Sequence, residues 1–152
     1  MGGVVRGWLL ALLVVLPGTL AGTARAEPGQ PATDIGSADR GAIRGVISDQ
    51  MAAFKRDDAE AAFGFAAPNI HALFPSAETF MAMVRQGYQP VYRPSQVQFG
   101  ALVRLDGQLT QLVHVVGPDG VPQLALYFME RQSDGHWRIT GCMLAVEPGA
   151  TT

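Results

Sequence analysis

Along the chain the spacing of apolar side chains changes once, from three-and-four to strict alternation. From Asp39 onward Ile43, Val46, Ile47, Met51 and Phe54 recur at helical spacing, with Lys55 and Arg56 in the last turn, where the helix dipole favours positive charge. This predicts a first amphipathic helix. Asp57 is a candidate cap for a second helix over DDAEAAFGFAA, with Glu60 three residues later completing a capping-box-like start and Pro68 stopping it. A further helical turn is expected over Ile70 to Phe74. Ser76 caps a third full helix, whose apolar face is Ala77, Phe80, Met83 and Val84 and whose end falls at Gly87, where a left-handed cap is easiest. Pro90 and Pro94 predict an extended YQPVYRP segment.

Beyond Ser95 the period becomes two. Gln96–Leu105, Leu109–Val116, Val121–Arg131 and His136–Val146 read as four strands joined by DG, GPDG and SDG turns, an antiparallel meander. The fold class predicted is therefore α+β, with N-terminal helices packed on a curved four-stranded antiparallel sheet. A three-residue loop over Asp106 to Gln108 gathers Val97, Phe99, Ala101, Val103, Leu105, Leu109, Val113 and Val115 on one face, and Gln111 is its polar exception. Continuing the same pairing adds Leu124, Leu126, Phe128, Trp137, Ile139 and Met143, and this face is expected to cover the helices. The opposite face would carry Leu102, Leu112, Tyr127, Met129, Cys142 and Leu144, too apolar for a solvated surface, so these six are interface candidates for a sheet-to-sheet homodimer.

The ends of the chain carry a different pattern. Met1 to Arg6 has one Arg, Gly7 to Leu16 is an apolar run about half the length that spans a bilayer, and Pro17-Gly18 leads into small residues ending Ala24-Arg25-Ala26. Residues 1–26 read as a secretory signal cleaved near Ala26, which predicts a periplasmic or secreted protein. An uncleaved anchor is the alternative. Residues 27–37, rich in Pro and Gly, read as a flexible leader, 38–146 as a single domain and 147–152 as a disordered tail.

Of the 152 residues 48% are hydrophobic and 16% charged, which excludes a disordered acidic or basic tail, and the single Cys excludes a disulfide scaffold. Without residues 1–26 the chain keeps nine basic and 13 acidic side chains and no run of Lys or Arg. Neither nucleic acid nor a membrane surface is an expected partner.

Motifs with a mechanism are few. There is no G-x-S-x-G elbow and no Cys-containing redox motif, and GPDG at 117–120 fits a hairpin turn better than a phosphate cradle. His71, His114 and His136 lack the spacing of a zinc site, so no metal and no cofactor is expected. The pocket candidates are the polar side chains expected on or near the helix-facing side of the sheet: Gln111, Glu130, His71, Tyr88 and Tyr92. A cone lined by Phe, Met, Val and Trp with a few converging polar groups is how small-ligand sites are built. The same five can equally be structural, with Gln111 bonding backbone, Glu130 solvated and the tyrosines packed. Glu130 or His71 with Tyr88 or Tyr92 would supply the residue types for proton abstraction beside a carbonyl, but no catalytic residue is assigned. Asp57-Asp58 is explained by helix capping. Cys142 reads as a small buried hydrophobe or as a bridge between two chains.

The segments VISDQMAAFKRDDAEAAFGFAAPNI (46–70), FMAMVRQGYQPVYRP (80–94), Phe99-Gly100 and DGHWRITGCML (134–144) resemble the bacterial family called domain of unknown function 4864. The order of elements is similar to the nuclear transport factor 2-like superfamily, which includes ketosteroid isomerase-like and polyketide cyclase-like members. The resemblance implies a cone-shaped α+β fold and carries no activity with it. The functional expectation is an extracytoplasmic binding or interaction module holding a small apolar ligand. The alternatives are a partner-binding dimer with a filled cone and, more remotely, an isomerase- or cyclase-like enzyme.

Overall fold

A computed structural model describes residues 28–147, so the signal expected at 1–26 and most of the expected tail lie outside the described residues. A short strand β1 (Gln30–Pro31) precedes helices α1 (Ser37–Lys55), α2 (Ala59–Gly64), α3 (Pro68–His71), α4 (Ala77–Gly87) and α5 (Gln89–Tyr92). Strands β2 (Gln96–Leu105), β3 (Gln108–Val116), β4 (Pro122–Arg131) and β5 (Trp137–Val146) follow. The architecture is α+β, helices first, with an antiparallel sheet in the order β1-β2-β3-β4-β5.

The fifth strand corrects the four-stranded expectation, and it comes from the segment read as leader. Gln30 and Pro31 pair with Arg104 and Val103, Ala32 is buried, and the Arg40 guanidinium donates to the carbonyls of Ala32 and Ile35. Pro has no N–H to give a ladder, so it suits the outermost position. The far edge is covered differently. Ala67 N–H donates to Ile139 O at 2.8 Å and Ile139 N–H to Phe65 O at 3.0 Å, so the link between α2 and α3 runs alongside β5. Both sheet edges are thus partly occupied, which limits pairing with another chain.

Helix boundaries follow their caps. Asp58, not Asp57, caps α2, accepting from Ala61 N–H at 3.1 Å; Asp57 sits in the corner before it at φ 54°. Ser76 caps α4 as expected, accepting from Thr79 N–H at 3.1 Å. Gly87 ends α4 without a left-handed turn, because Tyr88 begins a new helical turn, α5. Pro90 does not hold that segment extended: it lies in the first turn, where a missing N–H costs nothing.

The register departs from the expectation in four places. Asp106 and Gly107, at φ 49° and 81°, form a two-residue turn, so Leu105 pairs with Gln108 and points outward. A bulge between Phe99 and Leu102 then keeps Phe99 facing the helices, but brings Leu102 inward and turns Val103 outward. On β4, Val113 pairs with Ala125 and Gln111 with Tyr127, a one-residue slip that puts Ala125, Tyr127 and Met129 inside and Leu124, Leu126 and Phe128 outside. On β5 a second bulge at Thr140 leaves Trp137 and Ile139 inside, adds Cys142 and Leu144, and turns Met143 out to 58% exposure. Both faces of this sheet are apolar, so hydrophobicity alone does not choose between registers.

Tyr127 and Met129 are therefore buried core, as is Leu102, and Cys142 and Leu144 pack against that core. None of these five lies on the outer surface assigned to them. Only Leu112 is on the outer sheet face, itself fully buried in a second cluster with Val103, Leu124, Leu105 and Leu126. The principal core lies between α1 (Ile43, Ile47, Met51, Phe54), α4 (Phe80, Met81, Val84) and the inner sheet face. Trp137 Nε1–H donates to Asp39 at 3.0 Å, joining β5 to the start of α1.

Candidate functional site

Between the helical layer and strands β4 and β5 the packing leaves a cavity of about 270 Å³, just under the usual range for small-ligand sites. Its helical wall is apolar: Phe54 of α1, Ile70 of α3, Phe80, Met83 and Val84 of α4. Leu73 and Phe74, in the link between α3 and α4, also line it, and Leu73 is 70% exposed. The sheet wall brings Tyr127 of β4 beside Cys142 and Ile139 of β5. No Asp, Glu, Lys, Arg or His is among the lining residues.

Four polar side chains reach this space. Gln50 lies on the apolar face of α1, buried, and its amide nitrogen donates to Ala62 O at 3.2 Å, holding α1 to α2. Tyr88, between α4 and α5, donates from its hydroxyl to Cys142 O at 3.1 Å. Tyr127 is 1% exposed, and its hydroxyl, closed off from solvent beside the Cys142 thiol, has no N or O partner. Cys142 is only half-buried as a residue, but its thiol is enclosed, and desolvation pushes it from 9.0 up to about 12. The same loss of solvent raises Tyr88 and raises Tyr127 well above the ordinary phenol value. All three groups are neutral at physiological pH. The cavity is therefore lined by uncharged side chains.

The bulges shape that wall. Asn69 of α3 donates from its side-chain amide to Thr140 O at 2.9 Å, securing the irregular turn of β5 that rotates Cys142 inward. Gln111, the inward neighbour of Tyr127 across the sheet, donates from Nε2 to Gly100 O and Leu112 O, each at 2.9 Å, and so fills the hydrogen-bonding gap at the β2 bulge. Its Oε1 is buried without a partner, as the Tyr127 hydroxyl is.

Of the five pocket candidates only Tyr88 lines the cavity. Gln111 is on the helix-facing side, in the structural role just described. Glu130 is exposed on the outer face of β4, opposite Arg138, because the register is shifted there by one. His71 is exposed, stacked on Phe63 at 3.8 Å between ring centres, and borders a separate open recess with Asp134 and Arg138. Tyr92 is buried away from the cavity with its hydroxyl bonded to Asp57. Asp57 also takes Arg93 at 2.9 Å and Arg85 at 3.4 Å, while the Arg93 guanidinium lies 3.9 Å over the Tyr92 ring. This cluster pins the α1–α2 corner to α4 and α5. With Glu130 and His71 both outside, neither nominated base faces Tyr88 within the cavity.

Tyr127, Cys142 and Gln50 line the cavity without being pocket candidates from sequence: the expected register puts the first two on the opposite sheet face, and only Gln50 carries a signal, a polar residue at an apolar position of the α1 period. Among the described residues no group of three His, Cys, Asp or Glu side chains is arranged to hold a metal ion, and no helix is long and apolar enough to cross a membrane.

No curated protein and no solved structure gives a significant match to this chain. A family model does match, over residues 36–152, which takes in every helix, strands β2 to β5 and the whole cavity lining. The chain belongs to the family described as Domain of unknown function (DUF4864).

Proposed function

We propose that this protein is a non-catalytic binding module that holds a small apolar ligand between its helices and its sheet. One observation carries this reading: a largely apolar cavity of about 270 Å³ between the helices and the sheet, with no charged side chain in its lining. An apolar cavity left unfilled is a poor arrangement for folding and a suitable one for binding a small apolar molecule. The nuclear transport factor 2-like cone is the fold type this reading adopts, supported by helices packed on one face of a bulged antiparallel sheet. The N-terminal sequence pattern supports export and cleavage near Ala26. Native mass spectrometry of the protein recovered from a bacterial periplasm tests both points. The expected result is a chain lacking 26 residues with a small molecule bound, and Ile70→Trp, which fills the cavity mouth, should lose that molecule. A full-length chain, or adduct-free protein identical to the variant, would refute the corresponding point.

A second reading, a homodimer through the outer sheet face, is favoured by the apolar cluster there. Leu105, Leu126 and Met143, with the neighbouring Phe128, surround Leu112 there in place of Leu102, Tyr127, Met129, Cys142 and Leu144, which belong to the core. Sedimentation should give a dimer at micromolar concentration that Leu126→Glu dissociates; a wild-type monomer would exclude it.

A further inference from the structure

We infer that the open recess beside His71 is a second binding site, for a small zwitterion of the free amino-acid class, with Arg138 receiving its carboxylate and Asp134 its ammonium group. The site stands apart from the apolar cavity: the recess encloses about 520 Å³ and shares only Ala66 with the cavity lining.

Two walls from distant parts of the chain form it. Gly64, Pro68 and His71 belong to the α2–α3 region, and Ser133 and Asp134 to the β4–β5 hairpin, beside Arg138 of β5. Backbone hydrogen bonds lock the walls together, since the Ala67 N–H donates to Ile139 O and the Ile139 N–H to Phe65 O. The hairpin is closed by the Gln132 N–H on His136 O at 2.8 Å, and Asp134 Oδ1 accepts the His136 N–H at 2.9 Å, which fixes the aim of the carboxylate. His71 is stacked on the buried Phe63 ring. A preformed recess loses little entropy when it takes a ligand.

The charges in the recess are unmatched. Arg138 is half-buried, and one of its nitrogens donates to Trp137 O at 3.2 Å. Its cross-strand neighbour Glu130 lies toward the Gln132 side-chain amide, 3.5 Å away, and makes no ion pair with it. Asp134 has no cationic partner either. Among the described residues a guanidinium and a carboxylate thus line one recess, and neither is paired with the other or elsewhere. An anion entering it would meet Arg138 but also the field of Asp134, and a cation the reverse. A molecule carrying both charges answers both groups at once. The end of a peptide brings one charge and leaves the other group unmatched.

Amide NMR titrations of the labelled protein at neutral pH and low salt, where exposed ion pairs are least screened, test this with three probes of one chain length: 4-aminobutanoate, butanoate and butylammonium. The flexible chain lets the zwitterion adjust its span. The expected result is that 4-aminobutanoate shifts the amides of His71, Asp134 and Arg138 and binds about fivefold more tightly than either single-charge probe, the worth of one more exposed ion pair. Asp134→Asn, which keeps the acceptor for the His136 N–H, should bring 4-aminobutanoate down to the level of butanoate, and Arg138→Gln should bring it down to that of butylammonium. The same spectra show that each variant is folded. Butanoate or butylammonium binding as tightly as the zwitterion to wild type overturns the ligand class, a comparison that needs no variant. An advantage of the zwitterion that survives Asp134→Asn overturns the assignment of the ammonium group, and one that survives Arg138→Gln overturns that of the carboxylate. Shifts that are absent, or that fall on α4 instead, overturn the recess as a site. None of these outcomes touches the cavity reading.

Discussion

Asp57 shows how much one residue can organise. It occupies a left-handed backbone position, accepts hydrogen bonds from Arg85, Arg93 and the Tyr92 hydroxyl, and so fastens three helical elements at their ends. The Tyr92 hydrogen bond, then the nearby Arg93 and Arg85, hold its carboxyl below the ordinary 3.8. A folded-state pKa below the unfolded one means that the contribution to stability is present above about pH 4 and is lost as pH falls through the lowered value. Asp57→Asn should therefore be less stable than wild type at pH 7, and the gap should close under acid, as followed by urea titration across pH 2 to 7. Tyr127 is the opposite case. Its buried hydroxyl lacks a partner, a penalty of about 1–3 kcal/mol. Tyr127→Phe should raise the stability of the protein by about 1 kcal/mol, a few degrees in Tm by calorimetry. The Cys142 thiol, raised to about 12 from 9.0, should react with iodoacetamide roughly a thousandfold more slowly than a free cysteine at pH 8, and full reactivity should return in urea.

At the scale of elements, the Ser76 cap and the position of the Asp106-Gly107 turn are legible because their chemistry is local, whereas the α2 cap, the end of α4 and the length of that turn are not. Ser76 bonds the N–H of a residue three positions on, and Asp106-Gly107 adopts the two positive φ values a tight hairpin needs. The first helix, the capped fourth helix and the meander could be read from periodicity and punctuation. The bulges could not. Each inserts one residue whose only mark is in the pairing partner, and Gly100 merely permitted what the contact with His114 required, since a Cβ there would lie 3.1 Å from the imidazole. Gln111 is the element-scale test. Its amide nitrogen satisfies carbonyls on both sides of the β2 bulge, so Gln111→Leu should cost about 1–3 kcal/mol in urea unfolding despite matching the apolar face.

For the whole molecule, the segment before α1 matters more than its composition suggests. Gln30–Pro31 lies on the outer edge of β2, and a chain beginning at Gly36 would uncover that edge together with the site of Ala32. Such a truncation should lower Tm and produce concentration-dependent aggregation by light scattering. By itself the sequence determined the α+β order and the family, because periodicity, composition and capping act over a few residues. The tertiary structure alone decided which sheet face meets the helices, and with it whether Tyr127 and Cys142 line a cavity or an outer surface. The reason is physical. A strand with apolar residues on both sides has two nearly equivalent registers, and the choice is made by bulges and by the shape of the helical layer, which bring together residues far apart in the chain.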